Sequence, residues 1–189
     1  MKKVMTNTEF TEILLDIAQN KKTIYVLGGL GEPMTEESKR YDMERLAFNR
    51  KGNAKKRILN ADAETFGFDC SCMIKAILWG WNGDLSHRWG GTVFPPEEGM
   101  FPDVPASRFM EVCEHVSDHF EEGLLKGEAV VLENHAGIYV GNGLVVESTR
   151  RWDAKVMITS LKRKKGMHSR KWQKHGRLPV IDYVDDIPC

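Results

Sequence analysis

Apolar side chains recur at helical spacing in three segments of the chain. Residues 8–20 predict a helix that begins at Thr8 as its N-cap. Asp69 and residues 82–83 (Asn-Gly) are the natural start and stop of the clearest helix. Its apolar face consists of Met73, Ile74, Ile77, Leu78 and Trp81. Residues 106–120 predict a third helix, because Phe109, Met110, Cys113, Val116 and Phe120 fall on one side.

From residue 128 onward the pattern changes to that of β-strands. The predicted strands are residues 128–132, 135–140, 144–148, 156–161 and 178–183. Residues 141–143 (Gly-Asn-Gly) predict a hairpin turn, and Pro179 marks the last strand as an edge strand. Helices followed by a meandering antiparallel sheet indicate an α+β architecture.

A glycine cluster follows a short predicted strand at residues 24–27. Residues 28–31 have the wrong spacing for a dinucleotide fingerprint, and they lack the Lys-Ser/Thr pair of a phosphate loop. We interpret the cluster as a turn where the backbone approaches another element closely. The polar residues 35–60 are predicted to be helical and to lie on the surface.

The composition is that of an ordinary globular protein. With 189 residues, 41% hydrophobic and 29% charged, the chain fits one domain, and no apolar run reaches the length of a transmembrane helix. Lys plus Arg and Asp plus Glu are both 27, so the formal net charge is zero. Residues 150–177 nevertheless hold eleven basic residues and one acidic residue, Asp153. This region is either a solvated surface or a surface that attracts an anionic polymer.

Four cysteines in a chain of this length do not form a disulfide scaffold. No apolar stretch follows the first lysines, so we expect no secretory signal and free thiols in a reducing cytoplasm. Cys113 is predicted to be a small buried hydrophobic residue, and Cys189 is assigned no role. Among the histidines, His87, His168 and His175 have polar surroundings and are also assigned no role.

Cys70 falls in the first turn of the clearest helix, directly after Asp69. Free backbone N–H groups and the positive end of the helix dipole meet there, which favours the nucleophilic thiolate and lowers its pKa. Such a nucleophile needs a nearby base, usually histidine, and a group that orients the base.

His135 and Glu147 are the candidates for base and orienting group. They lie on the two predicted strands of one hairpin, and a loop formed by residues 141–143 places Gly137 opposite Glu147. His135 and Glu147 are then diagonal neighbours on one face. A two-residue loop would reverse this parity.

Soft ligands also raise the possibility of a metal site. Cys70-x-Cys72 does not have the usual C-x(2–4)-C spacing of structural zinc. On a helix, Cys113 and His115 point about 200° apart, so they do not share a site. We predict no metal and no cofactor.

The segments around Cys70 and His135 resemble the NlpC-type cell-wall cysteine peptidases, a papain-like family that hydrolyses bacterial peptidoglycan. The family motifs are Tyr-x-x-Gly-Gly, Asp-Cys-Ser, Gly-Asp/Glu and His-x-Gly-Ile-Tyr-x-Gly-x-Gly. They are matched in chain order by residues 25–29, 69–71, 127–128 and 135–143. The resemblance covers residues 23–149. It implies one papain-like α+β domain over residues 1–189, with N-terminal helices packed on a central antiparallel sheet and no separate wall-binding module.

Carried over residue by residue, the resemblance assigns specific roles. Catalysis falls to Cys70, His135 and Glu147, and substrate or oxyanion contacts fall to Tyr25, Ser71 and Asp69. Cys70 is the nucleophile, His135 the base, and Glu147 holds the imidazole tautomer. The backbone N–H of Cys70 helps to bind the oxyanion. More narrowly, the chain is similar to endolysin catalytic domains from phages and prophages of Firmicutes, on residues 77–84, 145–147 and 170–179.

This resemblance implies a hydrolase that cuts a D-γ-glutamyl-diamino acid bond in a peptidoglycan stem peptide. The alternatives are an N-acetylmuramoyl-L-alanine amidase, or a non-catalytic protein that binds an anionic polymer or serves as a phage structural component. We expect peptidoglycan as the partner, anionic wall polymers on residues 150–177, no nucleic acid and no membrane span. The protein is expected to be made in the host cytoplasm and to reach the wall after holin-type release or as a phage tail component.

Three positions depart from the family pattern. Cys72 replaces a small residue two positions after the nucleophile, and a disulfide with Cys70 under oxidation is one hypothesis. Asn134 replaces glycine, and Ala136 replaces a larger aliphatic residue. These last two changes concern the rim of the site more than its mechanism.

Overall fold

The computed structural model describes residues 1–121 and 123–184. The helices within these ranges are α1 (Asn7–Asn20), α2 (Glu36–Arg45), α3 (Gly52–Asn60), α4 (Cys70–Leu78) and α5 (Phe109–Val112), with a 3₁₀ turn at Ala106–Arg108. The first strands are β1 (Met5–Thr6), β2 (Thr23–Tyr25), β3 (Leu30–Pro33), β4 (Phe66–Phe68), β5 (Glu114–Ser117) and β6 (Ala129–Leu132). The remaining strands are β7 (His135–Gly141), β8 (Leu144–Ser148), β9 (Val156–Ser160), β10 (Lys174–Arg177) and β11 (Ile181–Asp182). None of the helices in the described ranges is long and apolar enough to cross a bilayer.

The main sheet has six antiparallel strands in the order β5-β10-β6-β7-β8-β9. A small sheet has the order β2-β4-β3, and β1 pairs with β11 in parallel. Helices α1 and α4 pack against β7 and β8 of the main sheet, and α4 also contacts β3 of the small sheet. The fold is therefore α+β, as predicted.

One apolar core joins the helices to the main sheet. It contains the apolar faces of α1 and α4 and the inward-facing residues of β7 and β8, among them Phe10, Leu14, Ile74, Ile77, Ile138 and Val146. Each of these side chains is almost wholly buried. Every residue of α4 except Cys72 is buried, so packing on several sides fixes the first residue of the helix against the sheet.

Two helix boundaries differ from the prediction. The N-cap of α1 is Thr6 rather than Thr8, because Thr6 and Glu9 form a reciprocal capping box. Helix α4 ends at Leu78, four residues before the predicted Asn-Gly stop. Gly80 takes a left-handed conformation, with φ of 93°, and turns the chain there.

The prediction of a helix over residues 106–120 is wrong beyond Val112. Cys113 is extended, and the chain continues as β5, which pairs with β10. The apolar residues in this segment fit a strand as well as a helix, and pairing with a distant strand decides between the two.

Strand β10, the second strand of the main sheet, was not predicted from the sequence. Its residues, Lys174–Arg177, have no apolar alternation, and the strand is defined by its neighbours β5 and β6. The predicted strand over residues 178–183 is shorter in the structure, where only β11 pairs, in parallel with β1.

The glycine cluster is a site of close approach, as predicted. A Cβ added to Gly29 would lie 2.8 Å from the carbonyl oxygen of Gly67. At Gly31, where φ is 87°, it would lie 2.4 Å from the indole of Trp81, which donates a hydrogen bond to the Gly31 carbonyl. The turn before α4 is thus packed tightly against the helix and its neighbouring strand.

Candidate active site

Cys70 is the first residue of α4, and Asp69 caps the helix as predicted. One carboxylate oxygen of Asp69, Oδ1, accepts hydrogen bonds from the backbone N–H of Cys72 at 2.7 Å and from Ser71 Oγ at 3.2 Å. The other, Oδ2, accepts from the backbone N–H of Gly28 at 2.8 Å. Asp69 therefore fixes the start of the helix and the glycine turn relative to each other.

The hairpin of β7 and β8 has the register that the site requires. Ile138 lies opposite Val146, which puts Gly137 opposite Glu147. His135 is two residues before Gly137, so it occupies the same face of the sheet. His135 and Glu147 are diagonal neighbours, as predicted.

The turn that produces this register is not the predicted one. Gly141 pairs with Leu144, so the loop has two residues rather than three. A bulge at Val140, between Tyr139 and Gly141, supplies the extra residue and restores the parity.

His135 and Glu147 are in direct contact. His135 Nε2 lies 2.6 Å from Glu147 Oε2, and the Glu147 side chain is wholly buried. Arg170 Nε donates to the same oxygen at 2.5 Å, and Thr159 Oγ1 donates to Oε1 at 2.8 Å. Burial alone would raise the pKa of Glu147, but the hydrogen bond and charge of His135, together with Arg170, outweigh it and hold that pKa below its usual value.

The imidazole plane is held from a second side. Trp172 stacks on His135 with ring centroids 5.8 Å apart and an interplanar angle of 16°. Arg170 is fixed as well, because its Nη2 donates to Thr149 and its guanidinium lies over the ring of Trp152. These contacts restrict the ring rotation of His135 and keep Nε2 directed at Glu147.

Cys70 lies beside this pair, next to the residue that follows His135. Helix α4 packs on β7, and the backbone N–H of Ala136 is close enough to the Cys70 thiol to lower its pKa. Burial, followed by the Asp69 carboxylate, raises the pKa of Cys70 to about 12, although the N–H groups of Ala136 and the helix start lower it. The predicted low pKa is therefore wrong, because burial outweighs the helix N-terminus, and the thiol needs a base to lose its proton.

The other predicted site residues occupy different positions around Cys70. Ser71 is buried, and its hydroxyl donates to Asp69. Tyr25 is buried at the end of β2, and burial, followed by the charges of Asp69 and Cys70, raises the pKa of its phenol. Tyr25 therefore keeps its proton at neutral pH and remains a hydrogen-bond donor.

A cavity of about 350 Å³ opens beside His135. Its polar lining includes Tyr25, His135, Thr149, Arg150, Arg151 and Arg170. Cys70 is only 6% exposed and lies next to Ala136 beneath this surface rather than in the lining. The cavity therefore brings together the base and the predicted substrate tyrosine.

Cys72 faces another part of the molecule. Side chains two residues apart on a helix point about 200° apart, so α4 separates the thiols of Cys70 and Cys72. Cys72 lines a small pocket with Gly28, Lys75 and Asp103. Both thiols are free, and this geometry argues against a disulfide between them.

Two predictions about residues outside the site need correction. Cys113 is only partly buried, because it leaves α5 and packs beside Gly176. His175 has polar neighbours, as predicted, but it is buried on β10, where its Nδ1 lies 2.5 Å from the Glu128 carboxylate. Cys189 lies outside the described residues. Within residues 1–121 and 123–184, no group of three or more His, Cys, Asp or Glu side chains is arranged to hold a metal ion.

Three residues of the site were not identified from the sequence. Arg170 and Thr159 hold the Glu147 carboxylate, and Trp172 stacks on His135. Arg170 and Trp172 lie in the segment that was noted for its positive charge and for its resemblance to endolysin domains, and neither residue was given a role. Arg170 and Trp172 reach the site because the segment after β9 packs back against β8, and no local sequence pattern indicates this packing.

Comparisons with known proteins add a structural likeness. No protein-family model matches the chain, and a search of curated proteins finds no match. Among solved structures, the chain is similar to the peptidoglycan hydrolase RipB from Mycobacterium tuberculosis, with 19% sequence identity and a TM-score of 0.46. The alignment covers 94% of this chain and 67% of the RipB chain. A likeness at this level does not assign the chain to a family.

Proposed function

We propose that the chain is a papain-like cysteine hydrolase that cuts an amide bond in the stem peptide of bacterial peptidoglycan. The observation that carries the proposal is the 2.6 Å contact between His135 Nε2 and the buried Glu147 carboxylate. A second supporting observation is that Cys70 is the first residue of helix α4, which packs on β7, the strand that begins with His135. The resemblance of the surrounding motifs to NlpC-type peptidases supplies the substrate class.

The contact with Glu147 determines which imidazole nitrogen acts as the base. A carboxylate accepts a proton-bearing nitrogen, so His135 carries its proton on Nε2 and presents the lone pair of Nδ1. Cys70 is protonated at neutral pH, because burial raises its pKa to about 12. Proton transfer from the sulfur to Nδ1 therefore accompanies attack on the carbonyl carbon. Glu147 stabilises the imidazolium that results.

The rest of the cycle uses the same atoms. The carbon–nitrogen bond breaks as Nδ1 of His135 returns its proton to the leaving amine, which leaves a thioester on Cys70. Water then attacks the thioester and gives a proton to Nδ1, and that proton returns to the sulfur as the acid leaves. The backbone N–H of Cys70 and the Tyr25 hydroxyl are the proposed donors to the oxyanion.

The proposed bond is the D-γ-glutamyl link to the diamino acid. The alternative is the N-acetylmuramoyl-L-alanine amide, which the same three residues, Cys70, His135 and Glu147, could hydrolyse by the same steps. For access to the wall, we propose release from the host cytoplasm through a holin-type pore or delivery as a phage tail component.

A basic groove supports attraction to anionic wall polymers as a further part of the proposal. The groove has a volume of about 430 Å³ and is lined by basic and aromatic residues, including Phe120, Lys162, Arg163, Lys171 and Trp172. Binding of the Cys70→Ala variant to purified walls is expected to weaken as salt screens these charges. Salt-independent binding would contradict this part alone.

The hydrolase is tested by digestion of purified cell walls with lysine and with diaminopimelate in the stem. Wild type, Cys70→Ala and Cys113→Ala are compared, because Cys113 is a free thiol outside the site. New soluble peptides from wild type and Cys113→Ala, and none from Cys70→Ala, are expected in the mass spectrum. Their masses separate the endopeptidase from the amidase. Wall binding by wild type without any release would favour the non-catalytic alternative.

A further inference from the structure

The cavity beside His135 is lined by more positive than negative charge. Three arginines, Arg150, Arg151 and Arg170, face one acidic side chain, Glu133. A cavity with this lining favours an anionic group in its occupant, because opposite charges attract most strongly where water is partly excluded.

Among the residues that the structure describes, one of the three arginines is paired with a carboxylate. The Arg170 side chain is buried and donates to the Glu147 carboxylate. Neither Arg150 nor Arg151 has a carboxylate partner among residues 1–121 and 123–184. Their guanidinium groups remain available to a ligand in the cavity.

The position of Arg150 is defined by an aromatic support. Its guanidinium lies over the ring of Phe48, 5.9 Å from the centroid. Phe48 in turn packs edge-on against Tyr25, with ring centroids 6.4 Å apart. Arg150 acts electrostatically on the Tyr25 phenol, and both side chains line the cavity with His135. A planar guanidinium held in this way is suited to bidentate recognition of a carboxylate.

We infer that this cavity binds a carboxylate of the substrate through Arg150, with Arg151 as a second cation. The inference rests on the proposed function and extends it to the substrate's own charge. In a D-γ-glutamyl amide, the α-carboxylate is free and belongs to the same residue as the scissile carbonyl. That carboxylate is the anionic group that a cavity beside the base would receive.

We therefore expect the enzyme to discriminate between stem peptides with a free α-carboxylate and stem peptides with an amidated one. A peptide whose α-carboxylate is amidated has nearly the same size but no charge, and an NH2 donor replaces one of the two oxygen acceptors, so that donor faces guanidinium donors. Loss of a charged hydrogen bond of this kind predicts a kcat/KM that is about 10- to 100-fold lower for the amidated peptide.

The test uses synthetic L-Ala-γ-D-Glu-diamino acid tripeptides, with lysine or meso-diaminopimelate as the diamino acid. Each is made with a free or an amidated α-carboxyl group on the D-glutamyl residue. Wild type is compared with Arg150→Gln, with Arg150→Gln/Arg151→Gln and with Arg40→Gln. Arg40 is an exposed arginine on α2 that does not line the cavity, so its variant makes the same change of charge. Thermal unfolding verifies that each variant is folded.

We expect wild type and Arg40→Gln to prefer the free acid, and Arg150→Gln to lose that preference by a slower reaction of the free acid alone. Equal kcat/KM of wild type for both peptides would overturn the inference and leave the hydrolase intact. A loss in Arg150→Gln that is equal for both peptides would overturn it as well. If wild type cleaves neither peptide, the inference is wrong. The digestion of purified walls then shows whether the proposed hydrolase activity is wrong as well.

Discussion

His135 Nε2 and Glu147 Oε2 lie 2.6 Å apart across the β7–β8 hairpin, in a contact that is closed to solvent on the glutamate side. Glu147 is also held by Arg170 and Thr159, so both of its carboxylate oxygens take part in hydrogen bonds. A carboxylate fixed in this way can hold one imidazole tautomer and stabilise a proton gained by the ring.

Glu147→Gln is expected to lower kcat/KM by about 100-fold or more, because a neutral amide lacks the negative charge that stabilises the imidazolium. The measurement is the rate of peptide release from purified walls. Glu111→Gln is the matched control, since Glu111 is an exposed glutamate paired with Arg108. Activity within a few-fold of wild type in Glu147→Gln, with the fold intact, would show that Glu147 does not act on His135.

The same carboxylate is expected to make stability depend on acid pH. The folded-state pKa of Glu147 lies below the ordinary value of 4.5. Its contribution to folding is therefore present above pH 4.5, and it is lost as the pH falls through the lower, folded-state pKa. Glu147→Gln leaves Arg170 buried without its counter-charge and costs about 3 kcal/mol at pH 7. In urea titrations, this difference between wild type and variant is expected to shrink between pH 5 and pH 3. A difference that is constant over that range would contradict the assignment.

Peroxide is expected to inactivate wild type and Cys72→Ala at the same rate. The two thiols of α4 point to different faces, so Cys72 cannot protect Cys70 by forming a disulfide without unwinding the helix. Oxidation of Cys70 then follows the sulfenic to sulfinic route, and dithiothreitol restores activity only from the first stage. Inactivation rates and recovery with dithiothreitol are compared for the two proteins. Faster irreversible loss in Cys72→Ala would revive the disulfide hypothesis.

An element can be predicted from the sequence when the residues within that element are enough to determine its structure. Helix α4 is one, because its apolar face and the Asp69 cap are both written in adjacent residues. Strand β10 is the opposite case. Its polar sequence becomes a central strand only because β5 and β6 pair with it, and the buried His175 finds a partner in Glu128. Pairing between strands that lie far apart in the sequence leaves no signal in the residues of one strand.

The same distinction applies to the candidate site. Cys70, His135 and Glu147 could be proposed from a helix start and a hairpin register, and the structure brings His135 and Glu147 into contact. The register survived an error in the loop length, because the bulge at Val140 and the two-residue turn together use as many residues as the predicted loop. The pKa of Cys70 could not be predicted, since it depends on how deeply the helix start is buried by the rest of the chain.

A second buried carboxyl group, Glu32, lies near the glycine turn. Its effect on stability is expected to depend on pH in the opposite sense to that of Glu147. Glu32 Oε2 accepts a hydrogen bond from the backbone N–H of Leu30 at 2.6 Å, while Glu32 Oε1 and both carboxyl oxygens of Asp42 are buried and accept no hydrogen bond from the described residues. The two carboxyl groups interact electrostatically. Two buried carboxyl groups that interact in this way are expected to keep a proton on one of them, because two buried negative charges would repel each other. Arg45 lies 3.7 Å from Asp42 Oδ1, so the charge belongs to Asp42 and the proton to Glu32.

Burial, followed by the neighbouring Asp42, raises the pKa of Glu32 well above its ordinary value, and burial raises that of Asp42 to about 6. A group with a raised folded-state pKa contributes stability below its ordinary pKa and loses it as the pH rises through the folded-state pKa. The pair is therefore expected to cost stability above pH 6.

Glu32→Gln replaces the shared proton with an amide N–H that donates to Asp42 at every pH, while its carbonyl still accepts from Leu30. The variant is expected to match wild type at pH 5 and to exceed its free energy of unfolding by about 1 kcal/mol or more at pH 8. Urea denaturation at both pH values measures this, with Glu44→Gln, an exposed residue of α2, as the control. An equal change at both pH values would show that the two carboxyl groups do not share a proton, because only a titrating pair makes the benefit of the amide depend on pH.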